Sequence, residues 1–268
     1  MNKATSAKKI RQSYGLICIN KNHRHATATE PFAKNTEVKH QPTEVLVVRK
    51  LNTYPFCDFV NGKYQKADKI LQLFNGMSVK EKNDILSMKF VTLWFQIYHE
   101  NPEITNNYNS IFTNSKRKFE STFLRHGSEY LKNMIKGTKS CEPPLELPKG
   151  RPNAGETKLE TAIREVREET GLPQDRMNIL WHLKPYIETF HDCGETYKNT
   201  YYFAEVRDWN PQNNFSSDIN YEVADVKWVT VPYLQQLCRY DSSYKKILKT
   251  ISKVTKKYRN HKNKYVFL

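Results

Sequence analysis

The amino-acid sequence predicts an α/β fold that is interrupted by a long, mainly helical insertion. β-Branched apolar runs typical of strands occur near the N-terminus and again after residue 140, where they alternate with a helical pattern. Between these regions, from residue 52 to residue 139, apolar residues follow helical spacing and helix start signals recur. The 268 residues are enough for one large domain or two small ones.

Two strands are predicted before the insertion. Ser13–Asn20 and Glu44–Arg49 are rich in β-branched and apolar residues, and they fit an antiparallel hairpin. The polar, His-rich stretch 21–41 between them is expected to form a long loop. Residues 1–12 are polar and basic, so we expect a disordered arm there.

Several short helices are predicted within the insertion. Ala67–Phe74 has apolar residues at helical spacing, and Ser78 with Glu81 forms a capping box that starts a further helix. Phe90–Tyr98 is apolar and aromatic and ends shortly before a proline, and Ser128 caps a last helix. The segment 52–139 is therefore expected to be a helical domain.

The α/β pattern resumes after the insertion. A helix is predicted at Lys158–Thr170, and the predicted strands are Leu145–Leu147, Asn178–Lys184, Thr200–Val206 and Val226–Val229. Pro232–Leu237 begins a final helical region, and Tyr244–Tyr258 has an apolar stripe opposite a lysine-rich face. The sequence thus predicts one α/β domain made of residues 13–51 and 140–268.

Charge and cysteine content restrict the function classes. The net charge of +15 favours nucleic acid, polyphosphates or an anionic membrane as partners, although a solvated lysine-rich surface gives the same charge. The five cysteines are scattered without a Cys-x-x-Cys pair, which argues against zinc and predicts free thiols in a reducing compartment such as the cytoplasm. No signal peptide is visible, and no apolar run approaches the roughly 18 residues of a membrane span.

The helix at Lys158–Thr170 carries the strongest chemical signal. One of its faces is apolar, whereas Glu165, Glu168 and Glu169 share a different face at i, i+3 and i+4. Like charges at this spacing destabilise a helix, and the helix macrodipole disfavours acids near its C-terminus. A hard divalent cation offsets both effects, because Mg²⁺ is held by carboxylate oxygens and substrate phosphates. The alternative is an exposed acidic face paired with neighbouring arginines.

Around this helix the sequence resembles the Nudix box. The matching positions, at the spacing of that motif, are Gly150, Glu156, Arg164-Glu165-Val166, Glu168-Glu169 and Gly171-Leu172. The resemblance implies an α/β/α sandwich and hydrolysis of a nucleoside diphosphate linked to another moiety. It implies that Glu165, Glu168, Glu169 and the Gly150 carbonyl bind Mg²⁺ or Mn²⁺. It further implies catalytic roles for Glu169 and for Arg164, which orients a glutamate, and a bracing role for Glu156.

Three further features resemble the mRNA-decapping branch of this family, and in particular the enzymes of large DNA viruses of the poxvirus and African swine fever virus type. The first is Glu146–Gly150 (ELPKG), in which Lys149 would contact a phosphate. The second is Tyr221–Val223 followed by Lys227–Val229, which implies that Glu222 is a general base or an additional metal ligand. The third is the helical insertion itself.

The same resemblance implies a binding site for the cap. In those enzymes a methylated guanine is held between two aromatic rings. The matching positions are Tyr54, with Phe56 as the near alternative, and Tyr201. Either Asp192 or Glu195 would read the guanine edge. The alternative for both tyrosines is packing in the core or at its rim.

The RNA body also needs a basic path. Lys116-Arg117-Lys118 is the densest basic run of the insertion, which is therefore expected to bind RNA or act as a lid, and the lysine-rich C-terminal helix is a second candidate. A lysine run that is simply solvated is the alternative for both segments.

The sequence therefore predicts a metal-dependent hydrolase that acts on capped mRNA and releases methylated guanosine diphosphate (m7GDP) and 5′-monophosphate RNA, in the host cytoplasm or a viral factory. A second hypothesis keeps the fold but takes a diphosphoinositol polyphosphate or a dinucleotide polyphosphate as substrate. A third is a non-catalytic RNA-binding protein, and the complete set of glutamates argues against it.

Overall fold

The computed structural model describes residues 10–20, 43–105, 109–125, 128–192, 195–211, 222–237 and 246–254. Contacts divide the chain into two compact units. The sheet unit comprises the described parts of 1–48, 147–215 and 226–268, and the helical unit those of 49–146 and 216–225. The sequence-based limits of the insertion, residues 52 and 139, lie a few residues inside these limits.

The described strands form one mixed, eight-stranded sheet. They are β1 (Ile10–Asn20), β2 (Glu44–Lys50), β3 (Leu145–Glu146), β4 (Lys149–Gly150), β5 (Met177–Ile179), β6 (Tyr186–Asp192), β7 (Glu195–Val206) and β8 (Val223–Thr230). The main order is β3-β2-β1-β7-β5, with β4 also pairing with β1, β6 with β7, and β8 with β2. The mixed sheet and its helices confirm the predicted α/β fold class.

The longest pairing in the sheet joins β1 to β7. The two strands run parallel from Ile10 opposite Thr196 to Asn20 opposite Val206. The predicted antiparallel pairing of β1 with β2 is confirmed. The prediction of a disordered arm over residues 1–12 was wrong for its last three residues, because they already pair with β7 and Arg11 forms an ion pair with Glu195. Residues 1–9 and the predicted loop 21–41 lie outside the described part of the chain.

Helix α8 (Lys158–Thr170) packs against β1 and has the bounds that the sequence predicts. Thr157 and Glu160 form a capping box at its N-terminus, in which each side chain accepts a hydrogen bond from the other residue's backbone amide. Gly171 ends the helix with φ of +73°, a left-handed conformation that favours glycine. Buried residues such as Ala162 and Val166 fix which face of the helix lies on the sheet.

Several predicted elements of the sheet unit have other limits in the structure. The strand predicted at Asn178–Lys184 was wrong beyond Ile179, because Leu183 turns back and donates its amide to the Leu180 carbonyl. Strand β6 was not predicted, and β7 and β8 begin earlier than predicted. The helix Val231–Leu237 is confirmed. Residues 246–254 are helical, and their buried residues are Ile247, Leu248 and Ile251.

The helical unit consists mainly of short helices, as predicted. These are α1 (Tyr54–Val60), α2 (Ala67–Asn75), α3 (Val79–Ser87), α4 (Phe90–Tyr98), α5 (Pro102–Thr105), α6 (Ser110–Phe119) and α7 (Ser128–Ile135), with a π-helical turn at Glu120–Leu124 after α6. The Ser78–Glu81 capping box is confirmed. None of the helices in the described residues is long and apolar enough to cross a membrane.

The core of the helical unit is aromatic. The ring of Phe59 lies between 5.3 and 6.0 Å, centroid to centroid, from the rings of Tyr64, Phe74, Phe119 and Phe123. These residues come from α1, α2, α6 and the segments next to them, so one cluster joins helices that are far apart in sequence. The unit therefore has a hydrophobic core of its own.

Candidate active site

Arg164 lies at the centre of the carboxylate face of α8. Its guanidinium donates to Glu156 from Nε (2.6 Å to Oε1) and from Nη2 (3.0 Å to Oε2). Its Nη1 lies 2.7 Å from Oε2 of Glu168 and 2.9 Å from Oε1 of Glu165. Nη2 also donates to the Arg151 carbonyl at 2.9 Å. One cation thus connects the loop before the helix to two of the three glutamates.

Glu156 closes that loop. Its carboxylate accepts hydrogen bonds from the Asn153 amide (2.8 Å), from Thr161 Oγ1 (3.1 Å) and from Arg164. The Arg164 guanidinium, more than the other donors, holds the pKa of Glu156 far below its usual range, at about 2. Glu156 is therefore ionised throughout the physiological pH range, as a partner of Arg164 has to be.

The three glutamates differ in exposure. Glu169 is 5% exposed and accepts a hydrogen bond from the Lys149 amide at 3.1 Å. The Glu165 carboxylate lies directly against Gly150, where a Cβ atom would overlap it. Burial is the main cause of a raised pKa for Glu165, and the charges of Glu169 and Glu168 add to it while Arg164 opposes it. Glu168 is half exposed. The three carboxylates thus repel one another on this face.

The donor chemistry fits a hard divalent cation. Carboxylates and the backbone carbonyl of Gly150 supply only oxygen atoms, which Mg²⁺ and Mn²⁺ prefer. Gly150 leaves room for the Glu165 carboxylate beside the backbone, and no other residue type does so. Within the described ranges, no three His, Cys, Asp or Glu side chains are arranged as a ready metal site. The glutamates are engaged instead with Arg164 and with the Lys149 amide.

Glu222 belongs to the helical unit and immediately precedes β8. Its carboxylate forms an ion pair with Lys50 at 3.3 Å, and its carbonyl accepts the Leu51 amide at 2.8 Å. The Glu222 side chain is 74% exposed, whereas the Lys50 side chain is mostly buried. Its predicted role as general base or metal ligand stays a prediction.

The three aromatic candidates for base stacking have different environments. Tyr54 begins α1 and is 54% exposed, and its hydroxyl donates to Glu146 at 2.9 Å. Phe56, two residues later, is fully buried in the aromatic core of the helical unit. Tyr201 lies in β7 of the sheet unit and is 4% exposed. In this conformation Tyr54 alone among the three presents a large part of its ring to solvent.

The two acids proposed for the guanine edge flank the β6–β7 turn. Asp192 is the last residue of β6, and Glu195 is the first residue of β7. The Glu195 carboxylate accepts hydrogen bonds from Arg11 at 2.6 Å and from the Tyr197 hydroxyl at 3.1 Å. A guanine edge at Glu195 would therefore compete with these two donors. The side chain of Asp192 lies outside what the structure describes.

The basic run Lys116-Arg117-Lys118 occupies the last turn of α6. Lys116 forms an ion pair with Glu103 at 2.6 Å, and Lys118 donates to the Gly62 carbonyl at 2.7 Å and lies over the Tyr64 ring. Arg117 donates to Asn114 at 3.0 Å. Lys116 thus joins α6 to α5, and Lys118 joins it to the residues after α1, so an RNA phosphate would have to compete with protein acceptors here.

A family model described as the NUDIX domain matches residues 130–251. The match includes the carboxylate helix, the loop that Glu156 closes, and strands β3 to β8. The chain contains a Nudix domain. The domain carries the complete set of glutamates, and hydrolases with this domain generally use divalent metals such as Mg²⁺ or Mn²⁺.

A viral relative extends the similarity beyond the Nudix domain. The chain is 25% identical over 209 residues to the mRNA-decapping protein g5R of African swine fever virus, which covers 74% of this chain and 82% of the viral protein. It is 36% identical over 72 residues to the asymmetrical bis(5′-nucleosyl)-tetraphosphatase of Mus musculus, covering 26% and 48% of the two chains. A solved Ap4A hydrolase of C. elegans superposes with a TM-score of 0.44 and 11% identity, over 92% of this chain and 98% of that one.

Three residues that the sequence did not single out as functional form hydrogen bonds or ion pairs with candidate residues outside the Nudix helix, or with the residue next to one. Glu146 accepts the hydroxyl of Tyr54, and Lys50 pairs with Glu222. Glu81 was recognised as part of a capping box, but its carboxylate also accepts the amide and the hydroxyl of Thr53, the N-cap of α1. These partners are far from one another in sequence, and no local motif connects them.

Proposed function

We propose that the chain removes the 5′ cap from mRNA in a metal-dependent reaction that releases m7GDP and 5′-monophosphate RNA. The observation that carries this proposal is the arrangement on α8, where Arg164 joins the Glu156 loop to two of three clustered glutamates. The substrate class is supported by the viral relative, whose name describes mRNA decapping.

The extent of the viral match favours decapping over other Nudix activities. The part of this chain that aligns with the viral protein is longer than the sheet unit, so the similarity includes residues of the helical unit as well. A small nucleotide substrate needs only the catalytic unit, whereas a long RNA substrate requires additional binding surface. We therefore assign RNA binding, or a role as a lid, to residues 52–139.

Within the site we assign the metal to Glu165, Glu168, Glu169 and the carbonyl of Gly150. Bound Mg²⁺ or Mn²⁺ would neutralise phosphate charge and lower the pKa of the attacking water. Arg164 holds Glu165 and Glu168 in place, and Glu156 keeps Arg164 in position. Glu169 and Glu222 are the candidates for accepting a proton from water, and Lys149 would contact a phosphate of the substrate.

We assign the cap to Tyr54, whose ring is the most exposed of the aromatic candidates, with Tyr201 as its predicted counterpart. A ring stacked on the methylated base gains from the positive charge of that base. Asp192 or Glu195 would accept hydrogen bonds from the guanine edge. Because Tyr201 is buried, stacking on it requires a change in its surroundings on binding.

The direct test uses RNA that carries a radiolabel in the cap. Purified full-length protein with Mg²⁺ or Mn²⁺ is expected to release labelled m7GDP and to leave RNA with a 5′-monophosphate. Release of m7GMP, or no release under conditions in which the protein is folded, would contradict the proposal. Addition of EDTA should stop the reaction, and restored Mg²⁺ or Mn²⁺ should restart it.

A second candidate substrate is a dinucleotide polyphosphate. It is favoured by the 36% identity to the mouse tetraphosphatase, although that match covers about a quarter of this chain. Diphosphoinositol polyphosphates belong to the same alternative, because the net charge of +15 suits them equally. Uncapped RNA as competitor separates these substrates, because it should inhibit a decapping enzyme strongly and a small-molecule enzyme weakly.

The proposed substrate also implies a place of action. We propose that the protein acts in the host cytoplasm or in a viral factory within it, because capped mRNA is translated in the cytoplasm. The similarity to a viral decapping protein agrees with this assignment. Localisation of a tagged protein in infected cells tests this assignment.

A further inference from the structure

The ring of Tyr54 is fixed at both ends. Its backbone follows Thr53, the N-cap of α1, whose amide and hydroxyl donate to Glu81 at 2.6 and 2.9 Å. Its hydroxyl donates to Oε2 of Glu146 at 2.9 Å. Glu81 and Glu146 are 2% and 8% exposed, so both acceptors are shielded from water, whereas Tyr54 is 54% exposed. An exposed aromatic side chain whose hydroxyl is held by a buried carboxylate, next to a residue that a second buried carboxylate anchors, is a costly arrangement for packing alone.

The hydrogen bond to Glu146 changes the ring electronically as well as sterically. A phenol that donates to a shielded carboxylate forms a charge-assisted bond, and negative charge accumulates on its oxygen and ring. The face of such a ring attracts a cation more strongly than the face of phenylalanine does. The Glu146 carboxylate also adds a negative charge behind the ring. Both effects favour a positively charged base over a neutral one of the same shape.

We propose that Glu146 is a positioning residue that makes Tyr54 selective for the positively charged, methylated guanine over unmethylated guanine. This inference rests on the proposed function only in assigning the base to Tyr54. Methylation at N7 leaves the shape of the guanine ring almost unchanged but gives it a positive charge. A site that distinguishes the two forms therefore needs an electrostatic feature, and the Tyr54–Glu146 pair supplies one.

Equilibrium binding of two probes, m7GDP and GDP, tests the proposal. The readout is the Kd for GDP divided by the Kd for m7GDP. A variant that is merely less stable weakens the binding of both probes equally and leaves this ratio unchanged. Wild-type protein should prefer m7GDP. Tyr54→Phe keeps the ring but removes the donor, and Glu146→Gln keeps an acceptor but removes the charge. Each should lower the ratio by about threefold to tenfold, where tenfold corresponds to about 1.4 kcal/mol.

The double variant Tyr54→Phe/Glu146→Gln tests whether the two residues act through one interaction. If they do, its ratio should equal that of either single variant. The matched control is Tyr98→Phe, because Tyr98 is also about half exposed and donates to a neutral acceptor, Oδ1 of Asn61, at 2.6 Å. Its ratio should equal that of the wild type.

Unchanged ratios in both single variants would overturn the proposal, and so would an equal change in Tyr98→Phe. Should Glu146→Gln fail to fold, Tyr54→Phe alone decides. The outcome is separable from that of the proposed function, because the probes report binding and not hydrolysis. A protein that prefers m7GDP through this pair but does not cut capped RNA would refute the function and support the pair. A protein that cuts capped RNA, but whose variants keep the wild-type ratio, would support the function and refute the role of the pair.

Discussion

Arg164 and Glu156 are eight residues apart, and the guanidinium of the first donates two hydrogen bonds, of 2.6 and 3.0 Å, to the carboxylate of the second. The pair joins the loop before α8 to the middle of that helix. Because the same guanidinium also contacts Glu165 and Glu168, the conformation of the loop and the orientation of the proposed metal ligands are coupled. This coupling can be tested without altering a proposed ligand.

Glu156→Gln should lower kcat while leaving KM for capped RNA within about twofold. The amide oxygen can still accept from the Asn153 backbone amide, but the charge that holds Arg164 is lost. Loss of an outer partner of a metal site typically costs about 10- to 100-fold in activity, and we expect a decrease of that size. Glu160→Gln is the control, because the Glu160 carboxylate caps the same helix and is not among the hydrogen-bond or ion-pair partners of Arg164. Equal activities of the two variants would refute the coupling.

The stability of the protein should depend on Glu156 at low pH. Its folded-state pKa of about 2 lies below the ordinary value of 4.5, so its contribution is fully present above pH 4.5 and is lost as the pH falls towards 2. Wild-type stability should therefore decrease more steeply than that of Glu156→Gln between these limits. Urea unfolding at several pH values measures both slopes. Parallel curves would show that Glu156 makes no such contribution.

Glu168→Gln should abolish hydrolysis and leave RNA binding nearly intact. Glu168 is half exposed on the carboxylate face, so the change should cost little stability. As a proposed direct ligand, it should lose more activity than the roughly 10- to 100-fold typical of an outer partner. Product release from cap-labelled RNA and equilibrium binding of the same RNA are the two measurements. Retained hydrolysis would contradict the assignment of Glu168 as a metal ligand.

Gly150→Ala should destabilise the protein by about 1–3 kcal/mol, because the new methyl group would overlap the Glu165 carboxylate. The double variant Gly150→Ala/Glu165→Ala removes the atoms in conflict and should recover part of that loss, but not the activity. Unfolding in urea measures the first effect, and cap release measures the second. Equal stabilities of the single and double variants would mean that the overlap is relieved in another way.

The carboxylate helix could be predicted from sequence because its signals are local. The apolar stripe and the glutamates lie within one helix, and Gly171 ends it, so Lys158–Thr170 was predicted with the bounds observed. Strand β6 could not be predicted in this way. It pairs with β7, and exposed residues such as Ile187 and Phe190 hide the alternation that marks a half-buried strand.

The environment of the aromatic candidates could not be predicted either. Tyr54 and Phe56 are two residues apart at the start of one short helix, and the first is exposed while the second is buried. Both are aromatic, so the residue types alone do not predict which of the two is exposed. The choice depends on partners distant in sequence, namely Glu146 for the Tyr54 hydroxyl and the aromatic core for Phe56.

The pairing of β1 with β7 has a consequence for how the chain is made. Ile10 lies opposite Thr196, so β1 emerges from the ribosome roughly 10–40 seconds before its partner, at about 5–20 residues per second. Most of the helical unit, residues 49–146, is synthesised during this interval. We therefore expect most of that unit to fold first, while the β7 edge of β1, with its apolar run Leu16–Ile19, stays unpaired. The nascent chain should need chaperone protection of β1 until β7 has been synthesised.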